Sequence, residues 1–218
     1  MNYVFDSKVD FGSTIYNSDD EAFVKDEPMF WRASPQYALE HGGHLTRKFL
    51  VELGKQKEWT TDPNVLIDSR VHMLFPGWYP SIPGFHFDDI PRELPNKQPN
   101  HRNPSYQAKH CMALCGDASL TEFAVGVASF PEIREDEKYY KVWHPMVVDY
   151  INKGVLKSVI AEPNRLIFFD CWSWHQGTKA TKRGHRFFIR ATRNTNLKCM
   201  NEIRRNANVY LEFPMEGW

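Results

Sequence analysis

A histidine and an aspartate two residues apart, His86 and Asp88, form the first candidate metal-binding pair in the sequence. Side chains alternate along a strand, so both would lie on one face with their Cα atoms about 6.6 Å apart. Such a pair supplies two ligands to one metal ion. The pattern alone is weak evidence, because a chain with 9 histidines and 27 acidic residues contains one by chance.

A second histidine, His175, follows at the end of a strongly apolar segment. Two histidines and one carboxylate are the ligand set of non-haem Fe(II), which leaves coordination positions open for substrate and O₂. A closed zinc site would require a fourth ligand. A lone histidine is more typically a hydrogen-bonded structural residue, but the ordered set favours iron. We therefore predict His86, Asp88 and His175 as metal ligands at the catalytic centre.

Two arginines follow His175 in the segment HRFFIRATR. On a strand, Arg186 and Arg190 would share one face, and the apolar Phe187, Ile189 and Ala191 would share the other. Arginines on the inner side of a barrel need anions, and a guanidinium binds a carboxylate through two parallel hydrogen bonds. Arg190 remains open between a pocket residue and a surface ion pair.

With these residues in this order, the sequence resembles the Fe(II)- and 2-oxoglutarate-dependent oxygenase superfamily over roughly residues 65 to 195. The spacing is similar to that of the taurine dioxygenase and phytanoyl-CoA hydroxylase type. The resemblance implies that Fe(II) binds the three ligands, that Arg186 binds the distal carboxylate of the cosubstrate 2-oxoglutarate, and that Thr121 lies near that cosubstrate. It also implies that Arg190 contacts cosubstrate or substrate.

The resemblance further implies a dioxygenase that uses O₂ to hydroxylate or oxidatively demethylate a second substrate, with release of succinate and CO₂. The aromatic residues Trp78 and Tyr79 are expected to bind that substrate or to belong to the core. Two alternatives stay open. A cupin-like metalloenzyme would not use 2-oxoglutarate, and Arg186 argues against it; a non-catalytic jelly-roll binding module would have no reason to keep all three ligands.

Short segments rich in β-branched and aromatic residues must position these side chains. They predict strands at 65–75, 85–89, 109–116, 120–130, 165–172 and 185–193. A helix is expected after Ser34-Pro35, weakened at Gly42-Gly43, and a helix or irregular segment over 136–150. The pattern favours a mainly β protein with flanking helices and a double-stranded β-helix, or jelly-roll, core. Its length predicts one domain, 1–218, with its core at about 65–195.

The Pro- and Asn-rich segment from Pro91 to Tyr106 comes directly after the His86 and Asp88 pair. Its composition disfavours regular structure throughout. We interpret it as a mobile cover over the site or as an inert surface loop.

Lys+Arg 27 and Asp+Glu 27 give no net charge, which argues against a protein that coats nucleic acid. The substrate is expected to be a small molecule or a modified macromolecule. Nucleic acid is not excluded as that macromolecule. The basic stretch from Lys179 to Arg205 mildly favours an anionic substrate. Without a signal sequence or an apolar span, we expect a cytoplasmic protein with no membrane contact, no obligate protein partner and its four cysteines as buried thiols.

Overall fold

A computed structural model describes residues 2–94, 97–103, 105–134 and 136–211. The described part consists of antiparallel strands and a few helices. The strands are β1 (Asn2–Ser7), β2 (Val9–Thr14), β3 (Met29–Trp31), β4 (Leu66–Leu74), β5 (Lys109–Cys115), β6 (Thr121–Pro131), β7 (Lys157–Ile160), β8 (Arg165–Asp170), β9 (Trp174–Gly177), β10 (Gly184–Arg193) and β11 (Glu202–Arg204). The helices are a 3-10 helix (Ser18–Asp26), α1 (Pro35–His41), α2 (His44–Leu53), α3 (Lys57–Thr60) and α4 (Tyr139–Asn152).

The larger sheet has five antiparallel strands in the order β2-β8-β5-β10-β4. Its outer face is apolar and carries Phe187 and Ile189 of β10, which belong to one buried cluster with Phe49 of α2. The helices at residues 18–53 therefore cover this face. The apolar alternation of β10 fixes which way its arginines point, because a one-residue slip would bury them under the helices.

The smaller sheet places β6 between β1 and β7, and β9 also pairs with β6. Helix α4 packs on it through Trp143, which is buried with Phe130 and Trp174. A third apolar cluster, which includes Met112 of the large sheet and Phe123 of the small one, joins the two sheets. The observed pair of antiparallel sheets confirms the predicted mainly β class with flanking helices and agrees with a double-stranded β-helix core.

Five of the six predicted strands are present within two residues of their expected bounds. The exception is 85–89, where the chain forms only an isolated bridge between His86 and His175. The predicted strand 165–172 ends at Asp170, so His175 lies in the separate strand β9 instead of ending β8. The ambiguous 136–150 segment forms α4, and Pro145 lies inside it.

The single helix expected after Pro35 is in fact two helices that meet at Gly42 and Gly43. Buried Glu27 replaces the missing helical bonds, since it accepts hydrogen bonds from the backbone N–H of Leu45 (2.6 Å) and Thr46 (3.3 Å) at the start of α2. A Cβ at Gly43 would lie 2.5 Å from the Glu27 Oε1, so the break needs glycine there.

Strands β1 and β2 were not expected from the sequence, and each pairs with one of the two sheets. The single-domain organisation stays a prediction. Three cysteines are buried as expected. The fourth, Cys199, is exposed, so the prediction of a buried thiol is wrong for this residue. No helix in the described residues is long and apolar enough to cross a membrane.

Candidate metal centre

The two predicted histidine ligands are held together by the backbone. The His86 N–H donates to the His175 carbonyl (3.0 Å), and the His175 N–H donates to the His86 carbonyl (3.2 Å). The antiparallel pairing of β9 with β6 supports His175 from the other side, opposite Phe123. His86, which lies outside any regular strand, is thereby fixed next to His175 in the small sheet.

Both imidazole rings are oriented by their Nδ1 atoms. The Nδ1 of His86 lies 2.8 Å from the Gly84 carbonyl, and the Nδ1 of His175 lies 2.9 Å from the Ser173 carbonyl. A carbonyl accepts, so each Nδ1 carries a proton, and in the neutral imidazole the Nε2 lone pair is then available to a metal. This is the arrangement that a metal-ligating histidine requires.

Asp88 lies close to both Nε2 atoms. Its Oδ1 is 3.7 Å from the His86 Nε2, and its Oδ2 is 3.4 Å from the His175 Nε2. The three candidate ligand atoms lie within 4.8 Å of one another. No other group of three or more metal-binding side chains occurs in the described ranges, and this one has no fourth member. The donor set fits Fe(II) with one open face better than closed zinc.

The protonation states also suit a cation. Burial, followed by nearby His175, lowers the pKa of His86 to about 4, so its imidazole is neutral at pH 7. Burial opposes the charge on Asp88, but the Arg190 guanidinium and His175 hold the pKa of this carboxyl well below its usual range. A neutral His86 imidazole and an ionised Asp88 carboxylate are therefore available at neutral pH.

Arg190 contacts this carboxylate directly. Its Nη1 donates to the Asp88 Oδ2, and its Nη2 lies 3.4 Å from the Asp89 Oδ2. The sequence suggested a cosubstrate or substrate contact or a surface ion pair for Arg190. Arg190 forms a buried ion pair with the candidate ligand and also lines the same cavity as the triad, and its predicted contact with cosubstrate or substrate stays a prediction.

Strand β4 supplies polar residues that the sequence analysis did not single out. In the antiparallel register, His72 is opposite Arg186, Arg70 is opposite Phe188, and Asp68 is opposite Arg190. All six side chains line one cavity together with the triad. The signal was present as alternating charged or titratable residues in LIDSRVHML, inside a strand whose remaining residues, apart from Ser69, are apolar.

Arg186 is buried at 4% exposure, and its Nε donates to the Ser119 carbonyl (2.8 Å). No carboxylate among the described residues lies within 4 Å of its guanidinium. Burial, and then the charge of Arg70, lower the pKa of Arg186 to about 9. A buried guanidinium without a counterion marks a site for an anionic ligand.

The cavity between the triad and Arg186, hereafter the inner cavity, has a volume of about 140 Å³. Thr121, the first residue of β6, lines it, so the structure brings Thr121 to the same space as Arg186. Ser81 also lines it, on a segment that packs tightly against β9. A Cβ at Gly177 would lie 2.7 Å from the Ser81 Oγ, so glycine is required for this approach.

The predicted aromatic substrate residues lie elsewhere. Trp78 and Tyr79 are half-buried but do not line the inner cavity. Trp78 packs on Phe75, and Tyr79 forms an isolated backbone bridge with Tyr210. Their substrate-binding role stays a prediction.

The predicted cover, 91–106, is not loose where it is described; residues 95, 96 and 104 lie outside the described residues. His101 is buried between aromatic rings, with centroids 4.6 Å from Tyr139 and 4.8 Å from Trp143. Tyr106 is buried and its hydroxyl lies 3.3 Å from the Thr195 Oγ1. His101 thus anchors the segment on α4 although the segment is polar overall, and its interpretation as a mobile cover or a surface loop stays a prediction.

Comparison with known proteins gives only distant relatives. No protein-family profile and no curated protein matches the sequence. The fold is similar to the non-heme alpha ketoglutarate dependent carbocyclase SnoK from nogalamycin biosynthesis, at 10% identity and a TM-score of 0.43, covering 86% of this chain and 79% of that one. It is also similar to an N-substituted L-amino acid dioxygenase from Burkholderia ambifaria AMMD, at 14% identity and a TM-score of 0.38, covering 82% and 80%. At these identities the similarity to 2-oxoglutarate-dependent oxygenases concerns the fold.

Proposed function

We propose that the chain is an Fe(II)- and 2-oxoglutarate-dependent dioxygenase that hydroxylates or oxidatively demethylates a second substrate, releasing succinate and CO₂. The observation that carries this proposal is the juxtaposition of a three-residue metal site with a buried, unpaired arginine in one cavity. A metal site alone fits many chemistries. An anion site in the same cavity selects a cosubstrate with a carboxylate at one end.

His86, Asp88 and His175 would hold the iron. When bound, Fe(II) would supply the activation of O₂ that couples decarboxylation of 2-oxoglutarate to oxidation of the substrate. The protein keeps both Nε2 atoms unprotonated through the carbonyls of Gly84 and Ser173. Three ligands on one side leave the opposite side open for the cosubstrate.

Arg186 would bind the distal carboxylate of 2-oxoglutarate. Its Nε is engaged with the Ser119 carbonyl, which fixes the plane of the guanidinium and leaves the two Nη groups to bind a carboxylate. The hydroxyl of Thr121 borders the same cavity and offers one more hydrogen bond. The low-dielectric surroundings strengthen this interaction, since no protein carboxylate competes for it.

The test is turnover of 2-oxoglutarate labelled at C1, because decarboxylation at C1 releases the label as CO₂ and can be followed before the second substrate is known. We expect labelled CO₂ and equimolar succinate only when Fe(II), O₂ and 2-oxoglutarate are all present. Iron retention without 2-oxoglutarate turnover or binding would favour the cupin-like alternative. Failure to retain iron would favour the binding module.

A further inference from the structure

A second cavity, the outer cavity, lies next to the metal site, and Arg186 is not among its lining residues. Its volume is about 280 Å³, and it shares Arg70, Pro80, Ser81, His86 and Asp88 with the inner cavity. Two of the three candidate metal ligands therefore border both spaces. A molecule in the outer cavity would contact the metal site without displacing a ligand from the Arg186 end.

The far wall of the outer cavity comes from the C-terminal segment that follows β11. Arg204, Asn206, Asn208 and Tyr210 line it. The backbones of Tyr79 and Tyr210 exchange two hydrogen bonds (2.8 and 3.0 Å), which hold the segment in place. Among the described residues, which end at 211, this wall presents amides, a phenol and an arginine, and no acidic residue.

Arg70 forms the border between the two cavities. Its side chain is half-buried, lines both cavities and makes no hydrogen bond or ion pair within the described part of the chain. Burial, and then the charges of Arg204 and Arg190, lower the pKa of Arg70. A half-buried arginine without a protein counterion favours the binding of an anion from outside.

Nearby carboxylates cannot serve as that anion, because each has another partner. Asp68 lies 3.2 Å from the Arg204 Nη2 and Asp88 binds Arg190, which also lies near Asp89. Guanidinium groups thus outnumber carboxylates around the site even before a metal ion adds its charge. The groups concerned are Arg70, Arg186, Arg190 and Arg204 against Asp68, Asp88 and Asp89.

Two arginines without counterions, Arg70 and Arg186, imply two anionic groups. Arg186 lines only the inner cavity, whereas Arg70 also lines the outer one. We propose that the second substrate carries an oxyanion, a carboxylate, phosphate or sulfate, which binds Arg70 in the outer cavity beside the metal ligands. This inference rests on the proposed function, in which Arg186 takes the cosubstrate.

Anion titration of the whole protein tests the site directly. The protein is loaded with Zn(II), which does not react with O₂, and with saturating 2-oxoglutarate, and is then titrated calorimetrically with inorganic phosphate, sulfate or acetate at constant ionic strength. We expect saturable binding of one anion per chain, and the tightest of the three indicates the class of oxyanion. Arg70→Gln should weaken it by about tenfold or more, since a hydrogen-bonded charge is lost.

Two further variants control the experiment. Arg70→Lys keeps the charge and should retain part of the affinity, and Arg205→Gln should behave as wild type, because Arg205 is exposed and does not line the cavity. Circular dichroism of each variant checks folding. Arg70 has no protein partner to lose, so its variants should fold.

Equal affinity in wild type and Arg70→Gln would overturn the proposal, as would a lack of saturable binding by all three anions. Competition between phosphate and 2-oxoglutarate would also overturn it and assign Arg70 to the cosubstrate. The same titration without metal and 2-oxoglutarate separates the two proposals. Arg70-dependent phosphate binding in a protein that binds no 2-oxoglutarate would count against the dioxygenase function alone.

Discussion

The two arginines on the inner face of β10 have opposite surroundings. Arg190 binds Asp88 and lies near Asp89, whereas Arg186 has only the Ser119 carbonyl and no carboxylate within 4 Å among the described residues. Burial opposes both charges. For Arg190 the carboxylates of Asp88 and Asp89 more than offset it and raise the pKa, while burial and Arg70 lower the pKa of Arg186.

The difference comes from the neighbouring strand. Arg186 and Arg190 lie four residues apart on one face of β10. In the register with β4, His72 is opposite Arg186 and Asp68 is opposite Arg190. One end of the face is therefore neutralised by the protein and organises a carboxylate for a metal. The other end keeps an excess positive charge for a ligand.

The largest effect is expected from removal of a metal ligand at the metal end of the cavity. His175→Ala removes one of three ligands, and we expect the protein to lose iron retention and turnover, because two ligands give neither sufficient affinity nor the right geometry. Iron per chain after desalting measures it. His185→Ala is the control, since His185 is exposed on the same strand as Arg186. Unchanged iron content in His175→Ala would exclude the triad.

The next largest effect is expected from a substitution of Arg186 at the anion end of the cavity. Arg186→Lys replaces a planar fork by a point charge, and we expect a loss of about 1 to 3 kcal/mol in 2-oxoglutarate binding with iron retention nearly intact. The KM for 2-oxoglutarate and iron content measure the two quantities in the same preparation. Equal cosubstrate dependence in variant and wild type would remove Arg186 from the site.

Arg190→Lys is the same substitution at the other arginine on this face of β10. We expect it to affect the iron rather than the cosubstrate, the reverse of the effect of Arg186→Lys. We expect weaker iron retention, since Asp88 loses a guanidinium that orients it, and a nearly unchanged KM for 2-oxoglutarate at saturating iron. Iron affinity measured by competition with a chelator checks this. A raised KM with normal iron affinity would return Arg190 to the substrate or cosubstrate contact expected from the sequence.

A smaller effect concerns stability at the anion end. Burial, then Arg186 and Arg70, lower the pKa of His72 to about 3, while an unfolded histidine titrates near 6.5. Between these values the unfolded chain binds a proton that the folded chain does not. The free energy of unfolding therefore falls as the pH drops from about 6.5 toward 3.

In His72→Gln this part of the acid sensitivity should disappear, which amounts to about 1 to 3 kcal/mol between pH 7 and pH 4. Urea unfolding of the metal-free protein at several pH values measures it, with His185→Gln as an exposed control. An acid profile of His72→Gln that parallels wild type would show that His72 is not the source.

The sequence predicted those parts of the site that depend on strand alternation and chain order. The inner face of β10 could be predicted because period-2 patterning survives in a single sequence. The triad was indicated by its ligand types and chain order, although residues 85–89 form no strand. Arg70 and His72 were missed, although LIDSRVHML carries the same alternation, because no spacing to His175 drew attention to them.

Contacts that depend on tertiary packing could not be predicted. The C-terminal wall at Asn206 and Tyr210 is held at the site by a bridge to Tyr79 and by the ion pair of Arg204 with Asp68, which no local pattern encodes. Likewise His101 appeared to belong to a polar loop, yet it is buried against Tyr139 and Trp143 of α4. Which segment covers a site is decided by distant partners rather than by its own composition.

Anaerobic addition of Fe(II) and then 2-oxoglutarate tests the central claim most directly. A 2-oxo acid chelated to Fe(II) gives a weak visible charge-transfer band, and the proposed site predicts this band in wild type, its absence in His175→Ala, and a higher 2-oxoglutarate requirement in Arg186→Lys. Iron bound at the triad with no such band at saturating 2-oxoglutarate would contradict the claim that the metal end and the anion end of the cavity bind one cosubstrate together.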